Sequence, residues 1–247
     1  MQADLKRNFD DAVADATRRG LESKIDRIES LLAGSVATIN VSPKVILSMV
    51  LGTAYQSYHR ALDQDLRQIA ERKYHAHRVA VDAKVHPGYG AEILDAAVSP
   101  DGRGLTGYGE ITLQLREISI ADRASVLREN AYAFYERYNL GCRDAEEAPG
   151  WRATWADRAR LGVAHLAPTL SPMIADKDLP FSVLAVGPSR DDDRYIEVHI
   201  YGQLTSAALE DVSLDRPLTH ADDRDEWTLA RQKLERRGVT VQERVNP

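Results

Sequence analysis

Residues Tyr195-Ile-Glu-Val-His-Ile-Tyr201 decide how the rest of the chain is read. Apolar and polar side chains alternate here without a break, and successive side chains of an extended strand point to opposite faces. Ile196, Val198 and Ile200 therefore enter a core together, while Tyr195, Glu197, His199 and Tyr201 share the other face. A carboxylate set among tyrosines and a histidine on a rigid strand suits a cleft where it orients or deprotonates a substrate hydroxyl. The plainer reading of the same face is an exposed sheet surface whose polar groups pair with neighbouring strands.

Outward from this strand, Glu110 to Arg116 alternates in the same way. Ile111, Leu113 and Leu115 lie on one side and Thr112, Gln114 and Arg116 on the other. The two strands are expected to belong to one β-structure. Arg123 to Leu127 reads as a further short strand, and residues 128–138 fit either its continuation or a helix rich in Tyr and Phe. Residues 150–167 read as a helix with Trp151, Trp155, Ala159, Val163 and Leu166 on its buried stripe. After the loop Pro188 to Arg194 and the strand itself come a short helix over 205–211, a longer one over 222–237 stopped by Gly238, and a last strand over 239–245.

Toward the N-terminus the period is helical. Residues 3–33 read as helix broken near Gly20, with Leu5, Phe9, Val13 and Ala16 in one stripe and Leu21, Ile25, Ile28 and Leu32 in a second. Ser42 followed by Pro43 marks a helix start, and Val45, Met49, Tyr55, Tyr58, Leu62, Leu66 and Ile69 carry the pattern to about Arg72. Tyr74 to Asp82 then reads as a strand, residues 90–98 as a short helix, and Ser99 to Gly107 as a loop. The expected fold class is α+β: an almost wholly helical accessory region over 1–73, then a mixed α/β-sheet domain over 74–247. The breadth of the N-terminal stripes implies packing against the β-containing part, a second copy or a partner.

Composition narrows the function. At 247 residues the chain can bury a sizeable core, and 43% apolar with 28% charged residues argues against wholesale disorder. A net charge of −6, with no basic run interleaved with aromatics, argues against extended nucleic-acid binding. The single cysteine, Cys142, leaves no internal disulfide and suits a reducing compartment. The longest apolar run, Val45 to Leu51, contains Ser48 and is too short for a membrane span. The first residues, Met-Gln-Ala-Asp-Leu-Lys-Arg, lack the apolar core of a signal peptide, so the expected setting is cytoplasmic, or export by a route without such a signal.

The segment Leu105-Thr-Gly-Tyr-Gly-Glu-Ile-Thr-Leu-Gln-Leu-Arg116 is followed by Arg123-Ala-Ser and Glu129-Asn-Ala-Tyr, and later by Tyr195-Ile-Glu-Val-His-Ile-Tyr-Gly-Gln-Leu-Thr-Ser206. This order of Tyr-Gly strand, Arg-Ala-Ser strand and late glutamate strand resembles ADP-ribosyltransferase-like domains of bacterial toxins, effectors and prophage-encoded proteins, over about residues 74–214. The resemblance implies a domain of that fold which cleaves the nicotinamide–ribose bond of NAD and passes ADP-ribose to an acceptor, such as a protein. Glu197 then matches the catalytic glutamate and Ser125 the serine that braces it. The first motif falls on His77 or Arg78, expected on an early strand. Tyr108, Tyr132, Tyr195 and His199 complete the expected NAD surroundings. The chain departs from the family pattern at Tyr195, where enzymes modifying arginine, asparagine or glutamine usually carry Glu or Gln, and it lacks a Ser-Thr-Ser triplet.

Two rivals come from other classes. His75 and His77, two apart on one strand face, joined by His86 or by His199 and Glu197, make a zinc or iron set for a metal-dependent hydrolase; their plainer role is to satisfy backbone groups. A non-catalytic phage- or secretion-associated binding module is the other. Among remaining candidates, Tyr132, Phe134, Tyr135 and Tyr138 recur at helical spacing and read as core, with Tyr132 or Phe134 the alternative stacking partner for nicotinamide. Cys142 beside Arg143 reads as an ordinary half-buried thiol, and Asp191, Asp192 and Asp193 as a solvated loop. The glycines at 102, 104, 107 and 109 run into a strand, so they make no dinucleotide fingerprint.

Overall fold

A computed structural model describes residues 2–69, 71–142, 149–188 and 192–245. Helices α1 (Gln2–Arg18) and α2 (Glu22–Ala33) open it, parted at Gly20, whose φ of +68° is a left-handed turn that glycine enters without steric cost. Strand β1 (Val36–Val41) follows, then helices α3 (Pro43–Val50), α4 (Tyr58–Asp63) and α5 (Arg72–Val85). The middle of the chain holds β2 (Ile93–Ser99), β3 (Ile111–Leu115), α6 (Glu117–Ile120), β4 (Ala124–Leu127), α7 (Ala131–Arg137), β5 (Arg152–Thr154) and α8 (Arg158–Leu166). The last part holds α9 (Pro180–Val183), β6 (Leu184–Ala185), β7 (Arg194–Tyr195), β8 (Glu197–Tyr201), β9 (Leu209–Leu214), α10 (Ala221–Arg236) and β10 (Thr240–Glu243).

Eight strands form one mixed sheet in the order β10-β9-β3-β1-β2-β8-β4-β5, and β6 pairs with β7 apart from it. β10 runs parallel to β9, and the other neighbours are antiparallel. Residues directly opposite in a sheet share a face, so the register sorts the side chains. Ile39, Leu113 and Val212 fall in one row, and Ala153, Val126, Val198 and Ala96 in another, all on the apolar face. That face joins α1, α2, α3, α8 and α10 in the main core, where α1 and α2 pack on α8 and α3 packs on α10. The opposite face carries a polar row through seven strands: Asp211, Gln114, Thr38, Ala97, Glu197, Leu127 and Arg152. Helices α5 and α7 cover part of it, with Val81, Val85, Leu127, Ala131, Phe134 and Leu140 making a small second core beneath them.

The α+β composition holds, and β3 and β8 do share one sheet, but several elements differ from expectation. Residues 1–73 are not wholly helical, since β1 lies in mid-sheet between β3 and β2. The single helix expected from Pro43 to about Arg72 is broken after Val50. Gly52 sits at φ +110°, and Tyr55 leaves the helical path to exchange backbone hydrogen bonds of 2.7 and 3.0 Å with Leu204. Tyr74–Asp82 is part of helix α5 rather than a strand, because Arg78, Val81, Asp82 and Val85 form its inward face at helical spacing. Residues 93–99 are strand β2 rather than helix, and the helix expected over 150–167 begins as strand β5 and a turn. A 3₁₀ turn at Ser206–Ala208 leads into strand β9 where a helix over 205–211 was expected. Residues 128–138 resolve as helix α7.

Two details show why local sequence suits this frame. A Cβ on Gly109 would lie 2.5 Å from the backbone C and O of Val41, so the Tyr108-Gly109 pair marks where the loop presses on β1 with no room for a side chain. Arg158, buried, donates to the carbonyls of Leu32 and Ala33 that end α2, and to Trp155 O, with its guanidinium 4.3 Å from the Trp155 ring. A cation there reinforces the end of α2, whose Leu32 carbonyl also accepts from the backbone N–H groups of Gly34 and Ser35.

Candidate active site

The ionisable groups gather on the polar face under α5 and α7. β2 supplies Asp95 and β8 supplies Glu197 and His199; strand alternation puts all three on this side, with Asp95 directly across from His199. β4 places Ser125 across from His199 and Leu127 across from Glu197, and β5 places Arg152 beyond Leu127. From above, α5 lowers Arg78 and Asp82, and His86 follows its last turn.

Arg78 forms the bridge between layers. Its guanidinium donates to Asp95 and, at 3.3 Å, to Asp82, and lies 4.8 Å from the Tyr58 ring, which also has the Arg67 guanidinium at 4.9 Å. His59 Nε2 meets Asp82 at 2.7 Å. Glu197 Oε2 accepts the backbone N–H of Ala131, while Asn130 Oδ1 accepts those of Tyr132 and Ala133, so two side chains close the first turn of α7. Asn130 is held in turn by donating to the Tyr195 hydroxyl. Arg152 Nη1 donates to His199 Nδ1 at 2.9 Å and Nη2 to Val85 O at 3.0 Å. The His86 and His199 rings meet edge to face at 4.1 Å, and neither nitrogen of His86 has a hydrogen-bond partner although the residue is only 2% exposed.

Burial and neighbours push these groups apart. Burial, reinforced by Asp95, holds the Glu197 carboxyl protonated well above the ordinary range. Asp95 feels burial too, but the guanidinium of Arg78 and the nearby His199 outweigh it and hold its carboxyl below the ordinary value. Its side chain is 30% exposed, so this ionised partner is the one that meets solvent. Burial, then Arg152, pushes His199 down to about 3; burial, then His199 and Arg152, pushes His86 down to about 2. Burial raises the Tyr132 and Tyr195 phenols.

No family model matches the chain, and no curated protein matches its sequence. The arrangement therefore speaks from its own geometry.

Of the residues expected from sequence, the fold brings Glu197, His199, Arg78 and Tyr132 into one neighbourhood, with Ser125 at its edge facing His199. Ala131 N–H, rather than Ser125, is what holds Glu197. Tyr195 is buried and bonded to Asn130, and Tyr108 is exposed on the loop beside it. His77 and Arg78 stand on a helix, not an early strand; Arg78 turns toward Asp95, while the half-buried His77 packs on α7 against the Tyr132 and Tyr135 rings, 3.3 Å from Glu136. His75 and His77 do not share a face, since helical residues two apart point about 200° away from each other, and His75 instead meets the Tyr58 hydroxyl at 3.1 Å. Phe134 is wholly buried as core. Cys142 is exposed, with Asn139 Nδ2 at 2.8 Å, and Asp193 is buried, accepting the Gly187 N–H. Arg143, Ser189, Arg190 and Asp191 lie outside the described residues. Asp95, Asp82, Arg152 and His59 were not singled out from sequence; the signal for Asp95 was a lone acid on the inward side of a short Ala-rich strand.

Asp95, Glu197 and His199 each offer one ligand atom within 4.8 Å of the others. Two of these groups are already engaged by cations. A guanidinium only donates, so His199 Nδ1 accepts from Arg152 and the neutral ring carries its proton on Nε2, which lies 3.6 Å from Glu197 Oε2. Arg78 likewise occupies Asp95. With both guanidiniums in place the set fits a metal ion poorly.

Proposed function

We propose that the chain is an NAD-consuming enzyme resembling ADP-ribosyltransferases, with the Asp95–Glu197 pair as its chemical centre. The observation that supports this is two carboxyl groups on adjacent strands whose oxygens come within 4.8 Å, one held protonated and one held ionised. Such division of roles is how paired carboxyls serve at glycosidic bonds, where separations of about 5 Å accompany attack through an oxocarbenium-like state. In NAD the nicotinamide–ribose bond breaks with its electron pair passing to the pyridinium nitrogen, so nicotinamide leaves neutral and positive charge develops on the ribose. The half-buried Asp95 carboxylate, held by Arg78, is the negative group of the pair that faces that charge, and it takes the proton released when an acceptor hydroxyl or amine attacks. Glu197, buried behind it, is a positioning residue that keeps the pair at one negative charge. The Arg67 and Arg78 guanidiniums around Tyr58 suit the pyrophosphate of a dinucleotide. A protein acceptor, and with it a toxin or effector role, belongs to the same proposal.

The test is nicotinamide release from NAD at matched folded concentration. Asp95→Asn should lower turnover by roughly 10²–10³-fold, and Glu197→Gln by less. No release by the wild-type protein with water or any acceptor, or full activity in Asp95→Asn, overturns the reading. The second reading, a metal-dependent hydrolase, loses His75 and His77 as a ligand pair, and it requires Asp95 and His199 to release Arg78 and Arg152 before they could join Glu197 around an ion. It expects Zn²⁺ or Mn²⁺ to raise the melting temperature of wild type and not of Asp95→Asn.

A further inference from the structure

A second site lies away from the carboxylates, where the turn before β9 meets the end of α10. Arg116, Ser206, Ala207, Arg237 and Val239 line a pocket of about 400 Å³ there, within the size range of small-ligand sites. Both arginines are anchored by neutral backbone rather than by acids. Arg116 donates through Nε to Leu209 O at 2.9 Å, and its own backbone N–H donates to Ala208 O at 2.8 Å. Arg237 donates through Nη2 to Val50 O at 2.8 Å and through Nη1 to the Ser206 hydroxyl at 2.6 Å. Among the described residues neither arginine has a salt bridge to a carboxylate, although the chain as a whole carries a net charge of −6.

We infer that this pocket binds the phosphate monoester group of a small molecule. Two guanidiniums fixed in place present uncancelled positive charge to match a dianion. Both terminal nitrogens of Arg116 and Nε of Arg237 remain without partners among the described residues. The Ser206 hydroxyl, which accepts from Arg237, keeps its own proton to donate. Forked guanidinium donors match tetrahedral oxyanion geometry, and their anchoring to carbonyls reduces the ordering that binding would otherwise require. Val239 supplies an apolar wall for the remainder of the ligand. The site is independent of the NAD proposal.

The experiment is an amide-resolved NMR titration of the full chain with inorganic phosphate and with phenyl phosphate, against sodium chloride at matched ionic strength. Phosphate, and not chloride, should shift the amides of Arg116, Ser206, Ala207 and Val239, and phenyl phosphate should bind more tightly than phosphate. Arg116→Gln should weaken phenyl phosphate binding at least tenfold with the circular dichroism spectrum unchanged. Arg237→Lys, which keeps the charge and loses the fork, serves where Arg116→Gln does not fold, and should weaken binding by a similar factor. Equal shifts with chloride, absence of shifts at these amides, or binding by either folded variant at wild-type strength would overturn the inference.

Discussion

At the scale of single residues, Glu197 is the group whose environment asks most of the fold. It is buried, takes one backbone N–H, and faces Asp95 and Asp82 with only Arg78 as a nearby countercharge among the causes acting on it. Its folded carboxyl titrates above the unfolded one, so its stabilising contribution is complete below the ordinary carboxylate range, near pH 4, and is lost as pH rises from there. Glu197→Gln keeps the acceptor for Ala131 N–H and removes the titration. Relative to wild type, the variant's melting temperature should therefore climb between pH 5 and pH 8; a difference that shrinks with pH would contradict the buried, protonated state. A variant that gains stability while losing turnover would separate a functional carboxyl from a mere helix cap.

At the scale of elements, the loop ahead of β3 and helix α5 explain what sequence alone could and could not deliver. Gly109 rests on the backbone of Val41, inside a strand bonded on both sides, so neither partner can move away. Gly109→Ala should cost about 1–3 kcal/mol, read from urea unfolding, and an unchanged midpoint would show that the contact yields. The strands β3, β4 and β8 were legible because their inward sides are consistently apolar, and α1, α2 and α10 because their stripes are. Helix α5 was not, because the surface it covers is charged. Its inward positions, Arg78, Val81, Asp82 and Val85, repeat at helical spacing but mix cation, anion and valine, so an apolar period does not register while Val79-Ala-Val81 imitates a strand. β2 hides for a related reason: Asp95 sits inward among alanines, and acids and alanines are depleted in strands. The candidate site was thus half visible, through Glu197 and His199 on a clean strand. Arg78 was named as well, though on an expected strand rather than helix α5, and Asp95 and Arg152 needed the register.

Across the whole molecule, three histidines weaken the fold in acid, His86 and His199 buried and His165 half-buried. His86 is pushed down to about 2, and His165 and His199 to about 3, each mainly by burial. In the unfolded chain a histidine binds its proton near pH 6.5, so the unfolded state takes up more protons throughout the interval down to pH 3. Each histidine alone lowers stability by about 2 kcal/mol between pH 7 and pH 5, and the protonated Glu197 carboxyl works in the opposite direction over the same window. Chemical denaturation at the two pH values measures it. His165→Gln should make the change in stability between the two pH values smaller by about 2 kcal/mol, and an unchanged acid response in the folded variant would show that His165 is not held neutral.

The place of β1 in mid-sheet carries a consequence for how the protein comes to be. On a ribosome β1 is made before both strands that must pair with it. β1 is complete at Val41, yet its neighbours β2 and β3 arrive only with residues 93–99 and 111–115, and α8, which covers α1 and α2, ends at Leu166. Until then the apolar stripes of the first two helices and both edges of β1 wait without their native partners, the condition under which nascent chains enlist chaperones or misassociate. Synthesis of this protein is accordingly a long exposure followed by a late, concerted closure. The segment from α1 to β1 is among the last to be secured.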